Sequence, residues 1–176
     1  MVLVSTAVQE PTTRSRIDKT IDRHYGEILA LARRTVGYGD AEDIAQEAFI
    51  RVAQGMWRLD GNANVRAWVY KIALNCCRDH FRRRRQQSAL HDGVPSGALG
   101  PDRQAQQKEL LNQVDSFLRT LPGKQREAFM LRRLQGLEYE EIAVVMDCSE
   151  DAARANVYQA FKKLKARFAG RLEEYA

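Results

Sequence analysis

Hydrophobic periodicity predicts an all-α protein made of two small helical domains joined by a flexible linker. Three observations carry this. Apolar residues recur at helical spacing in stretch after stretch, and no segment alternates convincingly as a strand. A run holding Gly93, Pro95, Ser96, Gly97, Gly100 and Pro101 breaks the pattern near the middle of the chain. A length of 176 residues with 44% hydrophobic content suits one ordinary domain or two small ones, each with a modest core.

Residues 1–15 are polar, carry Pro11 and are expected to form a fraying tail. A first helix is predicted from about Ile17 to Thr35, with Ile17, Ile21, Ile28 and Ala32 inward, interrupted by Gly37 and Gly39. Asp40 is placed to cap the next helix, with acids in the first turn favourable against the dipole. There Ala41, Ile44, Ala45, Ala48, Phe49 and Val52 form one stripe, and Asp43, Gln46, Glu47 and Ile50 occupy a neighbouring face. Trp57 to Ala63 reads as a loop.

The stretch Asn64 to Arg85, NVRAWVYKIALNCCRDHFRRRR, is the most informative in the chain. Val65, Trp68, Val69, Ile72 and Cys76 recur at helical spacing, and Lys71, Asn75, Arg78 and Arg82 recur on another face. Seven Lys/Arg stand against one acid, Asp79. A basic face beside Trp and Tyr suits a protein that holds phosphates and stacks against bases.

Beyond the linker, Leu110, Leu111, Val114, Phe117, Leu118 and Leu121 form a helical stripe ended by Pro122 and Gly123. A helix from Gln125 to Leu134 stops near Gly136. Two further helices follow, Tyr139 to Met146 and Asp151 to about Phe168, with Asp147 and Cys148 at the turn and Ser149 capping the second. This is helix-turn-helix spacing. Ala153, Val157, Ala160 and Leu164 face inward; Arg154, Ala155, Tyr158 and Gln159 face outward. Arg and Gln can read base edges in the major groove, Ala can meet a thymine methyl, and Lys162 and Lys163 follow one turn later, placed for phosphates.

Net charge is +5 with an isoelectric point near 9.3, which favours a polyanionic partner. The charges are also segregated. Arg82 to Arg85 form an unbroken basic run, while Asp40, Glu42, Asp43 and Glu47 form an acidic cluster, so two faces of opposite sign point to two different partners. The cysteines, Cys76, Cys77 and Cys148, are odd in number, and two are adjacent; this fits a reducing cytoplasm rather than a disulfide framework. The first residues, MVLVSTAVQE, have no signal-peptide pattern, and no stretch approaches the ~18 apolar residues of a membrane span, so no membrane insertion is expected.

Enzymatic chemistry has little support. The sequence has no Gly-rich phosphate loop, no HExxH and no nucleophile elbow. His24, His80 and His91 are scattered; His80 and Cys76 have the spacing of a two-ligand pair, but a core or interface role is the simpler reading. No enzyme activity, metal or cofactor is expected. A free-standing helix-turn-helix regulator binding duplex DNA as a dimer is the alternative binding protein, but it leaves the acidic face Asp40 to Glu47 without a role.

Four segments together resemble a sigma factor of the extracytoplasmic-function (ECF) group within the sigma-70 family. DAEDIAQEAFIRV (Asp40 to Val52) resembles the helix that binds core polymerase. VRAWVYKIALNCCRDHFRRRR (Val65 to Arg85) resembles the helix that opens and reads the minus-ten element. LPGKQREAFMLRRLQGLEYEEIA (Leu121 to Ala143) resembles the start of region four. SEDAARANVYQAFKKLKARF (Ser149 to Phe168) falls where the family reads the minus-thirty-five element.

The resemblance implies a region 2 bundle at 16–86, a linker at 87–106 and a region 4 helix-turn-helix at 107–172. It implies that Asp43, Gln46, Glu47 and Ile50 dock on the beta-prime clamp helices of core RNA polymerase, with the beta flap as a further contact. Asn75 is implied near the pocket for a flipped minus-ten base, with the loop Leu59 to Asn64 completing it. Arg66, Lys71, Arg78, Arg82, Arg83, Arg84 and Arg85 are implied as contacts to the melted strand of promoter DNA. Arg154, Ala155, Tyr158, Gln159, Lys162 and Lys163 are implied as contacts to the minus-thirty-five duplex. An anti-sigma factor is implied as a partner. The chain departs from the family pattern at Glu138, Asp147, Asn156, Gln159 and Phe161.

Overall fold

The computed structural model describes residues 11–61, 63–88 and 105–169, with side-chain surroundings for 13–61, 63–86 and 112–169. The described residues form seven α-helices and one short 3-10 turn, with no strand among them. The chain divides into two compact units, Met1–Gln86 and Gln87–Ala176.

The first unit holds α1 (Pro11–Val36), α2 (Tyr38–Gly55) and α3 (Val65–Ser88). Helix α1 begins inside the segment 1–15 expected as a tail. Proline at a first helical position has its φ already set and lacks an N–H that the helix would leave unpaired, so Pro11 starts the helix rather than breaking it. The helix ends at Gly37, whose φ of 97° lies where side chains are disfavoured, and whose N–H returns to the Arg33 carbonyl at 3.1 Å. Helix α2 then begins at Tyr38. Gly39 is therefore helical, and Asp40 sits within the first turn rather than at the cap; its charge still faces the dipole.

The predicted α2 stripe is buried throughout, and it packs along α1, where Ile28, Leu31 and Ala32 are also buried. Tyr25 and Phe49 meet with ring centroids 5.7 Å apart. A 3-10 turn at Met56–Arg58 occupies the start of the expected loop. Asn64 then opens α3, its Oδ1 accepting the Ala67 N–H at 3.0 Å.

The apolar arc of α3 is wider than the predicted stripe. Val69 and Cys76 are fully buried, but Val65, Trp68 and Ile72 are only half-buried, while Ala67, Tyr70, Ala73, Leu74 and Cys77 are buried as well. The helix is engaged from two sides, by α1 through Tyr70 and Glu27 and by α2 through Arg51 and Asp79, so more of its circumference is covered. Trp68 lies close against the end of α2: a Cβ on Gly55 would stand 2.9 Å from its ring.

The second unit holds α4 (Ala105–Thr120), α5 (Gly123–Arg133), α6 (Tyr139–Met146) and α7 (Glu150–Phe168). Leu118, Leu121, Phe129, Ala160, Leu164 and Phe168 form a core cluster, with Val114 and Phe117 packed against it. Leu110 and Leu111 of the predicted stripe lie outside the described side chains. Gly136, with φ of 67°, ends the turn after α5.

The turn between α6 and α7 passes through Asp147, at φ 51° and ψ 53°. A short polar side chain tolerates this left-handed conformation better than most, so the turn forms without glycine. The Cys148 N–H closes it on the Ala143 carbonyl at 3.1 Å. Ser149 caps α7, its Oγ accepting the Ala152 N–H at 3.2 Å. At the start of α6, Glu141 Oε2 accepts the Glu138 N–H at 2.9 Å, so the pair does the work of the absent hydroxyl cap. Ala153, Val157, Ala160 and Leu164 all face inward.

Helical structure also reaches into both ends of the stretch 87–106 expected as linker, since α3 runs to Ser88 and α4 starts at Ala105. The glycine- and proline-rich residues between them, the tail residues 1–10 and the expected limit at residue 172 lie outside the described residues.

Candidate nucleic-acid interface

Helix α2 presents Asp43, Gln46 and Ile50 to solvent, Ile50 with 58% of its surface exposed. Ile50 stands beside the exposed Asp43 and Gln46 on the face opposite the buried stripe. Glu47 is only half-buried and is occupied. It pairs with Arg51 at 2.5 Å and with Arg83 Nη2 at 3.1 Å.

That pairing revises the picture of two separate faces. The acidic cluster and the basic run are neighbours. Besides Glu47 and Arg83, Asp40 lies 3.8 Å from Arg84 and 3.5 Å from His80 Nε2. Asp79, the one acid of α3, pairs with Arg82 at 3.0 Å and Arg51 at 3.3 Å. Arg85 is exposed and makes no ion pair among the described residues. The charges segregate along the sequence, but the antiparallel run of α2 and α3 brings them back together.

On α3, Lys71, Asn75 and Arg78 are half-buried on a shared face. Arg78 Nη1 donates to Asn75 Oδ1 at 3.1 Å, which orients the amide. Arg66 is placed differently from the other basic residues. It lies 3.8 Å from Glu27 and 5.5 Å over the Tyr70 ring.

Glu27 is the hub of a cluster that sequence reasoning missed. Its Oε2 accepts from the Tyr70 hydroxyl at 3.1 Å and lies 3.2 Å from His24 Nδ1, with His24 and Tyr70 both buried. Burial, reinforced by the Glu27 carboxylate, holds the Tyr70 phenol well above its ordinary range. The signal available in sequence was only the His24 and Glu27 spacing of one helical turn. The partner from α3 is 43 residues away from Glu27.

Cys76 and Cys77 are both buried, and burial pushes the Cys76 thiol up to about 11. His80 Nε2 is enclosed and makes no hydrogen bond, with Asp40 Oδ2 3.5 Å away. Among the described residues no group of three or more His, Cys, Asp or Glu is arranged to hold a metal ion.

In the second unit α7 exposes Arg154, Ala155, Tyr158, Gln159, Lys162 and Lys163 along one side. Tyr158 is 61% exposed. Lys163 donates to Gln125 at 2.9 Å, and Arg154 pairs with Glu150. Of the positions that depart from the family pattern, Asn156 turns back to the Ala152 carbonyl at 2.8 Å, and Phe161 lies beneath Arg133 at 5.4 Å.

Residues 20–87 match the family model described as Sigma-70 region 2, and residues 111–164 match Sigma-70, region 4. The chain is 32% identical over 150 residues to the ECF RNA polymerase sigma-E factor of Escherichia coli strain K12, covering 78% of each. The chain belongs to the ECF sigma factors of the sigma-70 family. It is accordingly an RNA polymerase sigma factor that directs promoter-specific initiation, and sigma factors are regulatory initiation factors. The sigma-E factor of Haemophilus influenzae is 27% identical over 152 residues, covering 80% of each chain.

Two solved structures share the fold. One is the sigma factor RpoE in complex with the anti-sigma factor NepR from Bartonella quintana, with TM-score 0.76 and 20% identity over 89% of this chain and 99% of that one. The other is CnrH in complex with the cytosolic domain of CnrY, with TM-score 0.67 and 26% identity over 90% of each. Among the described residues no helix is long and apolar enough to cross a membrane.

Proposed function

We propose that this sigma factor divides its work between its two units, with region 2 at 16–86 and region 4 at 107–172 joined by the linker 87–106. Asp43, Gln46, Glu47 and Ile50 dock on the beta-prime clamp helices of core polymerase, and region 4 meets the beta flap. Asn75 receives a flipped minus-ten base, which offsets a few kcal/mol of unstacking. Lys71, Arg78 and Arg82 to Arg85 hold phosphates of the melted strand, with Arg66 in a supporting place beside Glu27. Arg154, Ala155, Tyr158, Gln159, Lys162 and Lys163 meet the minus-thirty-five element as duplex.

The observation that carries this reading is the oriented Asn75 and Arg78 pair on the same helix as the basic run, one helix away from the exposed Asp43, Gln46 and Ile50. A polymerase-docking edge and a strand-holding face then share one compact unit. The protein contributes base readout and no catalysis, and it acts in the cytoplasm. An anti-sigma factor is its regulator, a reading supported by the RpoE relative, which was solved with one.

The test is transcription in vitro. Purified protein with bacterial core polymerase, given a library of randomised promoters, is expected to select templates with two separated elements. No transcript from any template would sink the proposal.

A further inference from the structure

Tyr139 opens α6, yet its ring faces the helices on either side. The Arg132 guanidinium of α5 lies over it at 4.9 Å, and the Arg154 guanidinium of α7 lies over it at 4.4 Å. Each arginine is also held by a carboxylate. Arg132 pairs with Glu138 at 2.9 Å and donates to the Leu137 carbonyl at 2.9 Å, and Arg154 pairs with Glu150 one turn back on its own helix. These carboxylates offset the repulsion between two cations that share one ring. Arg132 is the anchored end of the stack; Arg154 is the more open end, with 55% of its side chain exposed on the side of α7 that carries Tyr158 and Gln159.

An arginine reads guanine through a planar fork, and the fork discriminates only when its plane is set. A long side chain free in solvent loses rotamer freedom when it binds. We infer that Tyr139 is a positioning residue, which together with Glu150 presets the Arg154 guanidinium for a base edge of the minus-thirty-five duplex. This deepens the proposed role of Arg154 and rests on it. It also gives Glu150 a purpose in a helix that meets phosphate: its carboxylate orients the arginine while leaving other N–H groups of the fork to the base.

The experiment uses holoenzyme assembled from full-length variants and the randomised promoter library. Arg154→Ala first identifies the base pair whose preference depends on this arginine. Tyr139→Leu is then expected to lower discrimination at that same base pair by about three- to fivefold, the effect of removing a partly exposed cation–π contact. Tyr139→Phe, which keeps the ring, is expected to retain it. Preferences elsewhere in the element, and thermal unfolding of the free protein, serve as controls. Loss of preference at every position to the same extent in Tyr139→Leu would mean a merely structural role and overturn the inference. Unchanged preference in Tyr139→Leu, where Arg154→Ala does lose it, would overturn the inference alone. If Arg154→Ala alters no position, the assignment of Arg154 falls and the inference with it.

Discussion

Replacing Glu47 with glutamine is expected to move two affinities of this sigma factor in opposite directions. Glu47 stands on the proposed polymerase-docking face, yet its carboxylate is held by Arg51 at 2.5 Å and Arg83 at 3.1 Å. In the proposed strand-holding role, that pairing partly neutralises Arg83 and lessens what it offers a phosphate. The side chains are 31% and 55% exposed for Glu47 and Arg83, which places the pair among partly solvated contacts worth about 0.2–1 kcal/mol. Since ~1.4 kcal/mol is tenfold, release of Arg83 corresponds to roughly a 1.5- to fivefold gain in affinity for single-stranded DNA. It should also steepen the salt dependence by at most about 0.7 in the log–log slope, one further phosphate on a single strand. Affinity for core polymerase should fall, because the docking face loses a charge. The assay is titration of the free protein with a labelled single-stranded oligonucleotide at several salt concentrations, alongside titration with core polymerase. Arg83→Ala in the same background should cancel the gain on DNA. DNA affinity and salt slope that stay unchanged in Glu47→Gln, or that fall, would refute the coupling.

Asn75→Ala is expected to weaken open-complex formation more than core binding, whereas Gln46→Ala with Glu47→Ala does the reverse; permanganate footprinting and a core-binding titration distinguish them. Replacing Arg82 to Arg85 together with Ala should reduce the salt slope on single-stranded DNA by less than the ~0.7 per residue of fully available cations, because Arg82, Arg83 and Arg84 already face Asp79, Glu47 and Asp40. A reduction by the full amount would show that those ion pairs do not compete with phosphate. Ser149→Ala should cost about 1 kcal/mol in urea unfolding of region 4 through loss of the α7 cap, and a null effect would remove that role. Region 2 should lose stability in alkali. Burial raises the Cys76 thiol from 9.0 to about 11, so the unfolded chain releases its proton first; the contribution is intact below pH 9 and is lost as the pH rises through about 11. Thermal unfolding between pH 8 and 11 should show this loss, and Cys76→Ala should lessen it.

Much of the architecture was legible because it depends on local rules. The α2 stripe from Ala41 to Val52 and the α7 set of Ala153, Val157, Ala160 and Leu164 follow from 3.6-residue periodicity, and both are buried as that period requires. Ser149 was recognisable as a cap because a cap is defined by its own few residues. Boundaries were harder. Pro11 reads equally as a breaker or as a first helical residue, and only the helix that follows decides which.

For this protein, periodicity predicted an all-helical chain, and the resemblance of four ordered segments to ECF sigma factors pointed to regions 2 and 4. What required the folded molecule was every relation between distant residues. The place of Tyr70 is set by Glu27 of α1, and the breadth of the buried arc on α3 depends on being covered from two sides. The pairing of Glu47 with Arg83 joins residues 36 apart in the chain, and the meeting of Arg132, Tyr139 and Arg154 needs three helices at once. Periodicity reports which way a side chain points from its own helix axis. It carries no information about which charge or ring a neighbouring helix will bring to it, and here those neighbours decide which arginines are held by carboxylates and rings and which stay exposed.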